Sequence, residues 1–384
     1  MNFSRFKNSN FSRLLRGKYW RRSSESGIAL VIVMISILVL TLLAGGFAIA
    51  MKVETTLARN ANSETELEWL GRSGVEYARW ILAQPPCPGE PYDALTQVWA
   101  GGPGGGTCSN STLVDVQQTV RLGRGSFTWK MYDCERKFNI NSTAGPGGED
   151  ILHQAFIQIG VDPGEFPALT GAIIDWIDPD DNTHVDGAES DYYQTLSPPY
   201  YAKNGPIDDL AELLLVRGIT QEMYWGGSST NHHIGSFQRQ LTQPGGRGAA
   251  VLPPNYGVGL ADLFTAISGG KVNINTALSP VFQLIPGIDA TRADAIVAAR
   301  EGEADPSGLT GPYTSLDAGY LFNRIPGLGL EAARQLAQYG TLRSTAFEVQ
   351  VSAQIGNYKR EFKAIIGRNP QNPKDIQILN FYWE

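Results

Sequence analysis

From Ile28 to Met51 the chain is almost continuously apolar (IALVIVMISILVLTLLAGGFAIAM), and no charge interrupts it. Roughly 20 helical residues cross a bilayer core, so this run predicts a membrane-spanning helix. Helix formers continue without proline from Val53 to Ala83. Within them Leu67, Leu70, Gly74, Tyr77 and Ile81 recur at spacings of three and four, one apolar stripe at helical period. Pro85-Pro86 ends it. One helix from about Ile28 to Ala83 would be roughly 80 Å long. Beyond the Pro/Gly-rich loop Pro85–Gly106 the period changes to two. Thr112–Leu122 and Ser126–Tyr132 predict a hairpin across Gly123-Arg124-Gly125. Phe347–Ile355 and Tyr358–Ile366 predict a second, turning at Gly356-Asn357, and Ile376–Trp383 a last strand. Between the strand groups, from about Asn139 to Thr341, the pattern is mostly helical. Trp225–Pro254 has no period and reads as a flexible loop. The simplest architecture is α+β: a small antiparallel sheet on the long helix, with a large α-rich domain inserted into it.

Charge sets the direction of the anchor. Arg5, Lys7, Arg13, Arg16, Lys18, Arg21 and Arg22 precede the apolar run, with Glu25 opposing them. The positive-inside rule keeps this leader in the cytoplasm and places everything after Lys52 across the membrane. Three readings of the run stand side by side. A secretory signal would be cut after Ala48-Ile49-Ala50, though its apolar core is longer than such signals carry. A plain uncleaved anchor is the second. The third is a prepilin-type leader ending in Gly27, cut on the cytoplasmic side. The net charge of −7 argues against a general affinity for nucleic acid. No Cys-x-x-Cys pair occurs, which removes a thiolate zinc site. In an exported body Cys87 and Cys108 could staple the loop between them, leaving Cys134 over. The alternative is three unpaired thiols.

Two segments carry candidate chemistry. Leu169–Ile177 is helical in pattern and runs into an acidic loop. Counted from Asp178, positions 1, 3, 5, 9 and 12 are Asp178, Asp180, Asn182, Asp186 and Glu189, oxygen ligands at the spacing of an EF-hand calcium loop. Thr183 stands where that loop needs glycine, and Pro179 is also foreign to it. A different calcium loop and a solvated acidic turn therefore both remain open. Further on, Leu284-Ile-Pro-Gly-Ile288 before a helix Thr291–Arg300, and Ile325-Pro-Gly-Leu-Gly329 before a helix to Tyr339, look like helix-hairpin-helix repeats. Such turns can offer backbone N–H groups to phosphate. This supports an alternative function, a membrane-anchored DNA-binding or competence protein. The flanks offer only Arg292, Arg324 and Arg334, and Asp289 sits beside the first turn, so DNA is disfavoured. For an enzyme the sequence offers little. His232-His233 lacks the spacing of a metal motif, and no G-x-S-x-G or Walker A sequence is present. Asp175 and Asp178 are the one acid/base pair available, with no substrate indicated.

The stretch Trp69–Leu82 (WLGRSGVEYARWIL) closely resembles the helix of K-type minor pseudopilins of type II secretion systems. Asp175–Asp180 (DWIDPD), Gly187–Glu189 with Tyr192 or Tyr193, Asp133–Asn141 with its N-x-N ending, and Lys271–Ala277 (KVNINTA) are similar to that family in the same order. Counting from Ile28, the fifth residue is Ile32. Most pilin-like subunits carry Glu there and K-type subunits do not. Cys134 departs from the small residues usual at its position. The resemblance implies a type IV pilin-like fold and a structural, non-enzymatic subunit at the pseudopilus tip. It implies cleavage after Gly27 by a prepilin peptidase, methylation of Ile28, and an inner-membrane anchor with a periplasmic body. I-type and J-type minor pseudopilins would be the partners, secreted proteins a further contact, and calcium a ligand of the inserted domain. The expected layout is leader 1–27, anchor and stalk 28–84, sheet 85–138, inserted α-domain 139–341 and C-terminal strands 342–384.

Overall fold

The computed structural model describes residues 26–84, 90–102, 116–226, 257–301 and 311–383. Residues 1–25 of the leader, Cys87, Cys108 and His232-His233 lie outside the described residues. The chain divides into two compact units between Glu64 and Thr65. The first holds the start of helix α1 (Ser26–Leu82). Its apolar side chains from Ile28 to Met51 are exposed, and a window of mean hydropathy 3.0 makes α1 the one described helix long and apolar enough to cross a membrane.

In the second unit the end of α1 packs on a five-stranded antiparallel sheet of order β1-β2-β7-β8-β9. The strands are β1 (Thr119–Leu122), β2 (Gly125–Asp133), β7 (Ala346–Ile355), β8 (Tyr358–Arg368) and β9 (Ile376–Trp383). Period-two burial follows the sequence: Phe127, Trp129 and Met131 of β2 and Phe347, Val349 and Val351 of β7 share the face toward the helix. They meet Leu67, Leu70, Val75, Ala78 and Ile81 of α1. Gly71 and Gly74 let the backbones close up. A Cβ on Gly71 would stand 2.5 Å from the Phe362 ring, and one on Gly74 2.5 Å from Val351 Cγ1.

Both hairpins turn on two residues with glycine first. Gly123 has φ +60° and Gly356 φ +56°, as such loops require. Thr112–Asp115 of the first arm lie outside the described residues; the ladder is described from Thr119, and Gln117 and Gln118 give their carbonyls to the Trp129 indole and backbone N–H.

Between β2 and β7 lies an α-rich segment with its own core. Its longer helices are α2 (Gly148–Ile159), α3 (Phe166–Ile177), α4 (Ala290–Glu301), α5 (Ala318–Arg324) and α6 (Leu330–Tyr339). Two-residue parallel ladders join β3 (Phe138–Asn139) to β4 (Phe264–Thr265), and β5 (Val272–Asn273) to β6 (Gly340–Thr341). Each ladder leads into an N-x-N clamp of identical design. Asn139 Oδ1 accepts from Asn141 N, and Asn141 then grips Ile207 through its N–H and carbonyl. Asn273 Oδ1 accepts from Asn275 N, and Asn275 grips Tyr313 in the same two-point way. The gripped residue follows Gly-Pro both times, in Gly205-Pro206-Ile207 and Gly311-Pro312-Tyr313. The segment is therefore two copies of one plan.

The second clamp is fastened to the sheet. Asn273 Nδ2, Thr276 Oγ1 and Ser344 Oγ all donate to Asp133 Oδ2 at the end of β2. Asp133 is fully enclosed. Burial first, and the neighbouring Glu135 second, push its carboxyl up to about 8. An acid raised above its unfolded value keeps its proton in the fold. Its contribution is complete below about pH 4 and is lost as pH rises through about 8. Thermal unfolding of the full chain in detergent should weaken from about pH 5 to 8 more steeply in wild type than in Asp133→Asn. Parallel pH curves for the two would rule this out.

Candidate cation site and partner-facing helix

The acidic site begins with how α3 ends. Ile173, Ile174, Trp176 and Ile177 bury that helix against the core, and Asp175 is carried inward with them, 0% exposed. Pro179 forces the residue before it out of helical geometry, so Asp178 is extended (ψ 159°) and closes the helix. One turn back, Gly171 admits the returning loop. A Cβ there would stand 2.9 Å from Val185 O. Gly187 is tighter still: its Cβ would fall 2.1 Å from Asp175 Oδ2. Arg217 holds the return by donating to Gly187 O at 3.0 Å while lying over the Tyr192 ring.

This approach brings His184 onto Asp175. The backbone N–H of His184 donates to Asp175 Oδ1 at 3.0 Å, and its Nδ1 lies 2.6 Å from the same oxygen and 3.6 Å from Asp178 Oδ2. Glu189, at the start of the one-turn helix Ser190–Tyr193, is 3% exposed and does not cap that helix. Asp175 Oδ2, Asp178 Oδ1 and both Glu189 oxygens are buried without a hydrogen-bond partner. Burial, then the charges of Asp175 and Asp178, push Glu189 up to about 7. Burial and Asp180 raise Asp178 in the same way. The Asp175 carboxylate against its ring raises His184. Buried carboxylates without donors are costly, and a divalent cation is the group that satisfies several of them together. The donors present fit one.

Of the five residues at EF-hand spacing, Asp178 and Glu189 belong to this cluster. Asp180 is close enough for its charge to act on both, but its Oδ1 accepts from Asn182 N and Nδ2 in a local turn. Asp186 is exposed, with φ +59°. Asp175 and His184 fall outside the twelve-position count for different reasons. Asp175 lies on the helix before it, and His184 sits where that loop supplies only a backbone carbonyl. The Asp175–Asp178 spacing of three on a helix was the available signal. As an acid/base pair these two are badly placed, because Asp175 has no open face for a substrate.

The glycine hairpins turn as expected, with Gly287 at φ +81° and Gly327 at φ +75°. Their arginines are already engaged. Arg292 donates to Gly287 O and Gly327 O, buried Arg324 to Gly311 O and Pro312 O, and Arg334 pairs with Glu331. The repeats thus bond to themselves, which weakens the case for phosphate. Cys134 is buried beside Ala346 and Ile365. Burial, then Asp133 and Glu135, hold its thiol well above the ordinary range, so it is a packing residue.

On α1 the face away from the sheet carries two large aromatic side chains among exposed, ion-paired Arg72 and Glu76. Trp69 is 66% and Trp80 43% exposed, about three turns apart on one side.

A family profile described as type II secretion system (T2SS), protein K, matches residues 136–225, the first N-x-N copy and the acidic site. Type II secretion system protein K of Aeromonas hydrophila is 26% identical over 52% of this chain and 61% of its own length. The Klebsiella pneumoniae protein of that name is 24% identical over 52% and 60%. The chain thus spans about three fifths of those relatives. The Pseudomonas aeruginosa protein K is 22% identical over 77% of this chain and 79% of its own. In fold the chain is similar to a chain in the crystal structure of the GspK-GspI-GspJ complex of enterotoxigenic Escherichia coli. The TM-score is 0.60 at 18% identity, covering 85% of this chain and 99% of that one. By the profile on the acidic site and the relatives it matches, the chain is similar to type II secretion system protein K, and it shares the α+β fold of a chain in the GspK-GspI-GspJ complex.

Proposed function

We propose that this chain is a minor pseudopilin at the tip of a type II secretion pseudopilus, a structural part of protein export across the outer membrane and not an enzyme. The observation that carries this reading is α1. Its first part exposes apolar side chains over a membrane-spanning length, and its last part buries one face on the sheet while leaving Trp69 and Trp80 outward. Two large aromatic side chains left outward on a helix whose own core is satisfied favour a partner surface there. I-type and J-type minor pseudopilins, the companions in the GspK-GspI-GspJ complex, are the partners this face fits. The large segment between β2 and β7 favours a place at the end of a filament, where its bulk meets no subunit above. There it could contact secreted proteins. Residues 139–341 form the inserted domain in this reading, and 85–138 with 342–384 the pilin-like sheet. The body lies in the periplasm and the anchor in the inner membrane.

Replacing both Trp69 and Trp80 with Glu should abolish co-purification with I- and J-type subunits from detergent-solubilised membranes, with the protein still folded by circular dichroism. Undiminished co-purification would refute the helix-face assignment. Processing is a separate expectation. Mass spectrometry of the mature protein should find an N-terminus at Ile28 carrying one methyl group, after cleavage beyond Gly27 by a prepilin peptidase. An N-terminus at Met51 would mean ordinary secretion and end the pilin reading.

Calcium is the expected ion for the acidic site, held by oxygens of Asp175, Asp178 and Glu189. It would neutralise their repulsion and tie α3 to the following loop.

A further inference from the structure

Side chains alternate along the strands, so the sheet face away from α1 carries Tyr132, Glu348, Ile365 and Asn380 in one cross-strand row. Over this row the segment between β2 and β7 leaves a cleft of about 470 Å3. Pockets for small ligands run roughly 300–1,000 Å3. Half-buried Tyr132, Leu210 and Trp225 give the cleft aromatic and apolar surface. The carboxylates along it are engaged within the fold. Asp208 pairs with Lys203, and Asp209 accepts from Ala211 N. Asp262 accepts from Gly259 N, and Glu348 from the Gln350 side chain. The cations Arg136 and Lys137 line the same cleft, and among the described residues neither forms an ion pair. Arg136 lies over the Tyr132 ring, 4.9 Å from its centre. Lys137 Nζ donates to Ala261 O at 2.5 Å, which leaves two of its three donors for another acceptor. Burial first, and the Arg136 charge second, hold Lys137 below its ordinary range against the pull of Asp262 and Glu348. Residues 227–256, which separate Trp225 from Ala261, contain no Asp or Glu, so this stretch of the chain brings no carboxylate of its own.

We propose that this cleft binds a short acidic peptide segment of a protein partner, with a side-chain carboxylate of that segment taken by Arg136 and Lys137. A carboxylate supplies the acceptor that both cations lack, and a guanidinium beside an ammonium suits it in charge and geometry. A continuous polyanion fits less well, because Asp208, Asp209, Asp262 and Glu348 would repel its further charges. A peptide brings one or two carboxylates and lays its apolar neighbours on Tyr132, Leu210 and Trp225. The site is independent of the Trp69 and Trp80 face, since α1 covers the opposite side of the sheet.

The full chain, immobilised in phosphatidylcholine nanodiscs, is offered two pools of fluorescein-labelled hexapeptides with randomised flanks. One pool fixes Glu or Asp at the two central positions, and the other fixes Gln or Asn there. Wild type should retain the acidic pool roughly tenfold or more over the amide pool, as one hydrogen bond to a charged group contributes. Arg136→Gln combined with Lys137→Met should erase that preference. Arg79→Gln combined with Arg334→Gln removes two cations outside the cleft and should preserve it. Arg136→Glu should turn the preference toward a third pool with Lys or Arg at the centre, an outcome that a misfolded protein cannot produce. Equal retention of the acidic and amide pools by wild type overturns the proposal, and so does a preference unchanged in the double cleft variant. Phosphatidylglycerol vesicles retained in place of either pool would assign the cleft to a lipid surface and overturn it as well.

Discussion

Gly74→Leu should detach the end of α1 from its sheet. The Cβ alone would stand 2.5 Å from Val351 Cγ1 and 3.1 Å from the Phe127 ring, both in the closed core. Ordinary overpacking costs about 1–3 kcal/mol. Here the strain falls at the upper end, because β7 is hydrogen-bonded on both sides, to β2 and to β8, and cannot retreat. Leucine gains roughly 0.5–1 kcal/mol of helix propensity over glycine, which is too little to compensate. Thermal unfolding of the full chain in detergent should move down by many degrees, with loss of the near-ultraviolet signal of Trp129. Gly46→Ala is the control, since nothing within 4 Å meets its Cβ. Equal melting of Gly74→Leu and wild type would show that the helix is not seated as described.

Asn273→Leu should be nearly as damaging, and far worse than Asn139→Leu at the matching position of the other copy. Asn273 is 0% exposed and donates to Asp93 O, Asp133 Oδ2 and Ser344 Oγ while accepting from Asn275 N. Leucine fills the space but strips Asp93 O and Asn275 N of this partner, while Asp133 Oδ2 and Ser344 Oγ keep the bond between them. Each buried polar atom left without a partner costs about 1–3 kcal/mol. Two such losses take a sizeable share of the stability of an ordinary domain, about 5–15 kcal/mol. Asn139 is only half-buried, donates to Ser268 O and accepts from Asn141 N. Water can reach the groups it leaves, so its loss should cost less than that of Asn273. Chemical denaturation of the two variants in parallel gives the comparison, and equal midpoints would contradict it.

These contrasts show what the chain discloses in one dimension. Period-two burial on β2, β7 and β8 and the glycine-first turns are local properties, so their places and register follow from neighbouring residues. The same holds for α1, whose stripe from Leu67 to Ile81 is nearly the set that meets the sheet. The metal cluster is different. Asp175 faces His184 because Gly171 and Gly187 permit two backbones to touch, and no count of spacing along the loop contains that approach. The twelve-position template found Asp178 and Glu189 and missed the helix residue between them in space. The N-x-N motifs are visible as words. Their objects, Ile207 and Tyr313, lie roughly 40 to 70 residues downstream, where only the preceding Gly-Pro hints at a shared role.

The register of Asp133 opposite Phe347 has a consequence for how the molecule is made. The central pairing of the sheet joins stretches roughly 200 residues apart, and a ladder so distant cannot begin until its second strand exists. A chain threaded amino end first presents the greasy inner side of its anchor's outer turns long before anything arrives to cover it. The two Asn-clamped copies can close in the meantime, each from contacts nearer in sequence. The last forty or so residues then act as the latch. Truncation there should leave a competent middle hanging from a bare helix, a species prone to stick to its neighbours before it ever reaches a filament.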